Sequence, residues 1–141
     1  MARTRRRTHV PPPSRLILDS GAVIALSRND QRARAALAAA WEAGVEMSIP
    51  SVVVAETVRG SARDAPVNRI VRAVGEVTAA DERIGRTAGA LLGATRSDAT
   101  VVDAVVVASA VALGGGVVLT GDPGDLEPLA SDHPEVVIRT L

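Results

Sequence analysis

The chain has 141 residues, 47% of them hydrophobic, with no cysteine and a formal net charge of zero. That length suffices for one domain with a sizeable core. The lack of cysteine excludes disulfides and thiolate metal sites and fits a reducing cytoplasm, and because all 16 basic residues are arginine, chemistry that needs a catalytic lysine is excluded as well.

Positive charge is concentrated at the start. No acid precedes Asp19, whereas Arg3, Arg5, Arg6, Arg7 and Arg15 do. Setting the first four of these aside leaves 12 arginines against 16 acids, a charge of −4 on the rest of the chain. Residues 1–14 read as a disordered, solvated arm, basic and ending in Pro11–Pro12–Pro13, with contact to RNA phosphates as a second reading. No apolar stretch follows the arginines, so the arm does not have the form of a secretory signal. No apolar run is long enough to span a bilayer.

RLILD (15–19) reads as a buried strand, broken by Ser20 and Gly21 before a helix begins with AVIAL. Residues 31–44 form an Ala-rich helix closed by Gly44, and EMSI (46–49) a second strand. A helix opens at Pro50–Ser51, runs through Glu56 and stops near Gly60. Residues 67–74 make another helix and 76–78 a third strand. From Asp81 to Thr95, Ile84, Ala88, Leu91, Leu92 and Thr95 fall on one helical face. Residues 99–113 form the most apolar helix, with Asp98, beside Ser97, as its N-cap, and Gly114–Gly115–Gly116 ends it. VVLT (117–120) is a strand, Asp122–Pro123 opens a helix to about Ala130, and 135–140 is the last strand. Short aliphatic strands separated by helices predict an α/β fold: a mainly parallel sheet flanked by helices, as a single domain over 15–141.

Within this pattern, four acids stand in or against apolar segments: Asp19 in RLILDSGAVIAL, Glu56 in IPSVVVAETVRG, Asp103 in ATVVDAVVVASA and Asp122 in VVLTGDPGDL. An uncompensated carboxylate in a core costs several kcal/mol. A parallel sheet gathers ligands at its strands' carboxyl ends, where these acids can converge, and a hard divalent cation such as Mg²⁺ or Mn²⁺, one or two ions, is the natural shared compensator. Each acid also has a plainer role open to it. Asp122 before Pro123 is a good N-cap, Asp19 suits a turn, and Glu56 could sit on a solvated face paired with Arg59. Asp103 is the hardest to explain otherwise, given Val102, Ala104, Val105 and Val106 around it. Asp125 is a weaker ligand candidate, and Ser20 and Thr120 are hydroxyls placed to orient the acids. His9 and His133 have no partner pattern, so a zinc or Ser–His–Asp site is not indicated. The glycines lack P-loop and GxGxxG spacing.

LILDSGAVIAL, IPSVVVAETVRG, VVDAVVVASA and VVLTGDPGDL together resemble the four acidic motifs of PIN-domain ribonucleases, most closely VapC-type toxins, over roughly residues 15–141. The resemblance implies a PIN-like three-layer sandwich, Mg²⁺- or Mn²⁺-dependent endoribonuclease activity, a homodimer and a VapB-like antitoxin partner. It maps the family's acids to Asp19, Glu56, Asp103 and Asp122, with Ser20 and Thr120 as neighbouring hydroxyls; the arm over 1–14 is outside the usual pattern. Trp41 is the only aromatic, so RNA contact would rest on arginines, with Arg28, Arg59, Arg63 and Arg96 as candidates. A PIN-like module that works by binding alone is the alternative. A phospho-acceptor receiver domain lacks its acidic pair and lysine here, and a haloacid-dehalogenase-type phosphatase lacks the second Asp that Gly21 replaces.

Overall fold

The computed structural model describes residues 15–96 and 98–141; the expected arm over 1–14, with His9, and the capping role expected for Ser97 lie outside the described residues. Its strands are β1 (Arg15–Leu18), β2 (Glu46–Pro50), β3 (Val77–Thr78), β4 (Gly116–Thr120) and β5 (Val136–Thr140). The helices are α1 (Ser20–Ser27), α2 (Gln31–Glu42), α3 (Ser51–Thr57), α4 (Ala65–Val74), α5 (Glu82–Ala94), α6 (Val101–Ala112) and α7 (Pro123–Leu126). The strands form one five-stranded sheet in the order β3-β2-β1-β4-β5. Every neighbouring pair is parallel.

A wholly parallel sheet must be covered on both faces, and the burial follows that rule. Ile17, Leu18, Ile49, Val118 and Leu119 are almost completely buried on β1, β2 and β4. Val23 of α1, Val53 of α3, and Val106 and Val107 of α6 close over them. The middle of α6, from Ala104 to Ala110, is buried without interruption, which accounts for its lack of a polar face. Two of the three glycines after α6 are needed where they stand. A Cβ on Gly115 would meet the Glu135 carbonyl oxygen at 2.5 Å, and one on Gly116 would meet that of Arg15 at 2.9 Å. With φ of 105° and 141°, these two residues let the chain enter β4 pressed between β1 and β5.

Several boundaries differ from the sequence reading. Ser20 does not break the chain before a helix; it is the first residue of α1, and Asp19 is the N-cap. α3 ends at Thr57 rather than near Gly60. A short 3-10 turn at Ala62–Asp64 leads into α4, which begins before the expected position with Pro66 in its first turn. α7 stops at Leu126 instead of running to Ala130, because Pro128 supplies no N–H to continue the ladder and the chain turns there. Thr100, not Asp98, caps α6.

Candidate active edge

Because all five strands run the same way, their carboxyl ends share one edge of the sheet. The chain moves outward from β1 to β2 to β3 on one side and from β4 to β5 on the other. The strand order therefore reverses between β1 and β4, and a crevice at the carboxyl ends forms at such a point. Asp19 follows β1 and Asp122 follows β4, so these two acids flank the crevice.

The two connections are held tightly together. The Asp19 N–H donates to the Leu119 carbonyl at 3.0 Å. A Cβ on Gly21 would lie 2.9 Å from the Gly121 nitrogen, so the start of α1 and the turn after β4 can approach this closely only without a side chain at 21. Thr120, wholly buried, completes the junction. Its hydroxyl donates to Asp19 Oδ2 at 2.8 Å and accepts the Asp122 N–H at 3.0 Å. The Ser20 N–H donates to Asp19 Oδ1 at 2.8 Å. Each Asp19 oxygen thus has one donor and keeps a lone pair, although the residue is only 7% exposed.

Burial pushes the Asp19 carboxyl above its ordinary range, the Thr120 and Ser20 donors oppose this, and the charges of Asp103 and Asp122 raise it further. The Glu56 carboxyl is also raised, first by partial desolvation and next by the charge of Asp19; a hydrogen bond with Ser20 and the Arg59 charge oppose the shift, while Asp103 adds to it. The four acids therefore act on one another across the edge, and Ser20 and Thr120 each serve one of them. The residue contexts differ more than the sequence implies. Only Asp19 is buried; Asp103 is partly buried, and Glu56 and Asp122 are exposed. Asp122 holds the N-cap position of α7 but its side chain makes no capping bond, which leaves its carboxylate free.

Asp103 does have a structural role. It stands at N3 of α6 in a capping box with Thr100. Asp103 Oδ2 accepts both the Thr100 N–H and the Thr100 hydroxyl at 3.0 Å, and the Asp103 N–H donates to Thr100 Oγ1 at 3.2 Å. The apolar neighbours that single it out in the sequence line the helix behind it, while its own side chain stays at the helix mouth. Both side-chain acceptor bonds end on Oδ2, so Oδ1 remains for a ligand.

The remaining candidates separate. Asp98 and Asp125 are exposed, and neither is among the charges felt by Asp19 or Glu56. Arg28 caps the far end of α1, nine residues beyond Asp19 along the helix, or roughly 14 Å. Arg59 does not form an ion pair with Glu56; its Nη1 donates to the Ala55 and Val58 carbonyls at 3.1 and 2.7 Å. Arg63 is exposed within the 3-10 turn, and Arg96 is exposed after α5. Sequence reasoning missed Asp64. It is buried, and its carboxylate accepts the N–H groups of Arg59, Gly60 and Ser61, folding the loop behind α3. Burial would raise this carboxyl, but the three backbone donors outweigh it and hold it below the ordinary range. Its signal was available: Ser61–Asp64 and Thr100–Asp103 both have the capping-box spacing.

An all-oxygen set of mutually repelling carboxylates with unused lone pairs fits a hard divalent cation. Among the described residues, no three His, Cys, Asp or Glu side chains lie close enough to hold one ion together. As placed, the acids would give an ion at most two direct carboxylates, with water filling the other positions, which is the habit of Mg²⁺.

A family model described as "PIN domain" matches residues 16–127. No curated protein matches the chain by sequence. Among solved structures, VapBC2 of Rickettsia felis, bound to a DNA fragment from its promoter, aligns with a TM-score of 0.66 at 13% identity, covering 90% of this chain and 98% of that one. DNA-bound VapBC from Salmonella typhimurium aligns with a TM-score of 0.64 at 16% identity over 89% and 97% of the two chains. A toxin–antitoxin complex from Klebsiella pneumoniae gives 0.66 at 19% identity over 86% and 95%. At such identities the likeness is one of fold.

Proposed function

The chain belongs to the PIN-domain family, and from that premise we propose that it is a metal-dependent endoribonuclease, the VapC-like toxin of a toxin–antitoxin pair. The observation that carries the proposal is Asp19: a buried carboxylate at the crevice between β1 and β4, held by Thr120 and Ser20, with its pKa raised first by burial and further by the charges of Asp103 and Asp122. Asp19, Asp103 and Asp122 are assigned as direct or water-mediated ligands of Mg²⁺ or Mn²⁺, and Glu56 as a water-mediated one. When bound, the cation would supply the Lewis acidity that lets water attack a phosphodiester near neutral pH. The chain's own part is positioning. Thr120 fixes the Asp19 carboxylate, Ser20 steadies Glu56, and the first turn of α6, which favours negative charge, carries Asp103.

The partners follow from the neighbours. The Klebsiella pneumoniae structure is a toxin–antitoxin complex and two others are VapBC assemblies on DNA, which supports an antitoxin partner here; a homodimer belongs to the same proposal. No helix among the described residues is long and apolar enough to cross a membrane, and a cytoplasmic location is part of the same proposal.

Two observations favour a module that works by binding alone: Asp103 already caps α6, and among the described residues no three acids are drawn together. Incubating the full chain with total cellular RNA separates the readings. We expect fragments with Mg²⁺ or Mn²⁺, none in EDTA, and none from Asp103→Asn. Equal cleavage under all three conditions would refute the metal-dependent reading, and its absence throughout would favour the binding module.

A further inference from the structure

A cleft of about 600 Å³ opens between the C-terminal end of α5 and the chain that follows α7. That volume is in the range of small-ligand sites, about 300–1,000 Å³. Leu91 and Leu129, both buried, form its floor together with Pro128. Its rim carries Arg96, His133, Asp132 and the hydroxyls of Thr87, Thr95 and Ser131. Arg96 has no ion-pair partner among the described residues. His133 Nδ1 lies 3.1 Å from Glu135 Oε1; the carboxylate only accepts, so Nδ1 carries the proton, and Nε2 is left for a ligand.

The α5 wall of the cleft leads toward the acidic edge. α5 and α6 pack closely along their length and are joined by a short loop, so the end of α5 lies beside the start of α6, where Asp103 stands. Arg96 precedes the α6 cap, Thr100, by four residues, at most about 14 Å of chain. The opposite wall continues from α7, which Asp122 opens. One wall thus leads into α6, which carries Asp103, while the other runs from α7 toward Glu135, beside the start of β4.

We infer that this cleft binds a nucleotide of an RNA strand that flanks the acidic edge, a proposal that rests on the nuclease reading above. The Arg96 guanidinium takes the phosphate, since Asp132 disfavours one on its own part of the rim. The base lies over the Leu91–Leu129–Pro128 floor. An aliphatic floor is what this chain has to offer, because its single aromatic, Trp41, is on α2 and not in the cleft. Ser131, Thr87, Thr95 and His133 Nε2 supply adaptable hydrogen bonds to the base and sugar. A rim of hydroxyls and an arginine suits a nucleotide better than an apolar peptide side chain.

The test uses the full chain with Asp19→Asn, to stop cleavage, and a fluorescent ten-nucleotide RNA of random sequence as the probe. Polarisation is measured across a salt series. Arg96→Ala should weaken binding by about tenfold and lower the salt slope by about one, as for loss of one phosphate contact. Ser131→Val should weaken binding without changing the slope. In methyl NMR spectra the RNA should shift Leu91 and Leu129. Affinity and slope unchanged in Arg96→Ala, or methyl shifts confined to another face, would overturn the proposal. So would protection of these methyls by a protein partner with no response to RNA. In the cleaving parent, Arg96→Ala should raise KM more than it lowers kcat. If Asp103-dependent cleavage is present and neither KM nor affinity responds to Arg96, the cleft inference fails alone. If Arg96-dependent binding is seen and the parent cuts no RNA, the nuclease reading fails and the cleft stands.

Discussion

Thr120 is the residue on which the geometry of the edge depends most. Its hydroxyl is buried, satisfies one oxygen of a buried carboxylate and accepts the N–H of the next acid-bearing turn. Thr120→Val keeps the shape and removes that hydroxyl, leaving two polar groups without their partner. Unmade buried hydrogen bonds cost about 1–3 kcal/mol, so urea unfolding should show a loss of that order, growing as pH rises and Asp19 ionises. Thr120→Ser should recover most of it. The sequence marks Thr120 only as a hydroxyl near two acids; its double role depends on parallel pairing of β1 with β4, which no local pattern states.

At the scale of elements, the strands and most helices are legible because hydrophobic period and glycine stops act locally. Two of the misreadings, at the starts of α1 and α6, share a cause: side-chain capping competes with the pattern that defines an element's ends. Asp98 looks like a cap because it precedes the apolar run, yet Thr100 and Asp103 satisfy each other's donors and set the start of α6. The Thr–x–x–Asp spacing was visible, but Asp103 reads as a ligand among valines, and both descriptions apply to different oxygens. This predicts a split between two substitutions. Asp103→Ala loses the cap and should cost about 1 kcal/mol. Asp103→Asn can still accept from Thr100, and it removes a charge that repels Asp19 and Glu56. Its stability should stay within about 1 kcal/mol of the parent, since the lost dipole interaction is itself only about 0.3–1 kcal/mol. Denaturant midpoints for the two variants check this; equal losses would show that the cap is not what Asp103 supplies to stability.

For the whole molecule, clustered acids make stability depend on pH and on cations. Asp19 and Glu56 both have folded-state values above the ordinary carboxylate range. Between the ordinary value and the raised one, the native state holds more protons than the unfolded chain, so these groups lower stability as pH rises through that window. Asp64 and Glu135 are shifted the other way, and their contribution is lost only as pH falls below the ordinary range. Without divalent cations, melting temperature should therefore decline from about pH 4 toward neutrality, and the decline should shrink in Asp19→Asn. Mn²⁺ should reverse it at neutral pH and have little effect in acid, because a ligand that binds only the folded state stabilises it. A rise toward neutrality in metal-free parent and Asp19→Asn alike would contradict this.

The buried Asp19 carboxylate at the crevice, held by Thr120 and Ser20, carries the functional reading. Calorimetric titration of the full chain with Mn²⁺ tests it most directly. The account predicts saturable binding in the parent that weakens by about tenfold or more, above about 1.4 kcal/mol, in each of Asp19→Asn and Asp103→Asn, with both variants still folded. Binding of the same strength in parent and variants, or none in the folded parent, would contradict it.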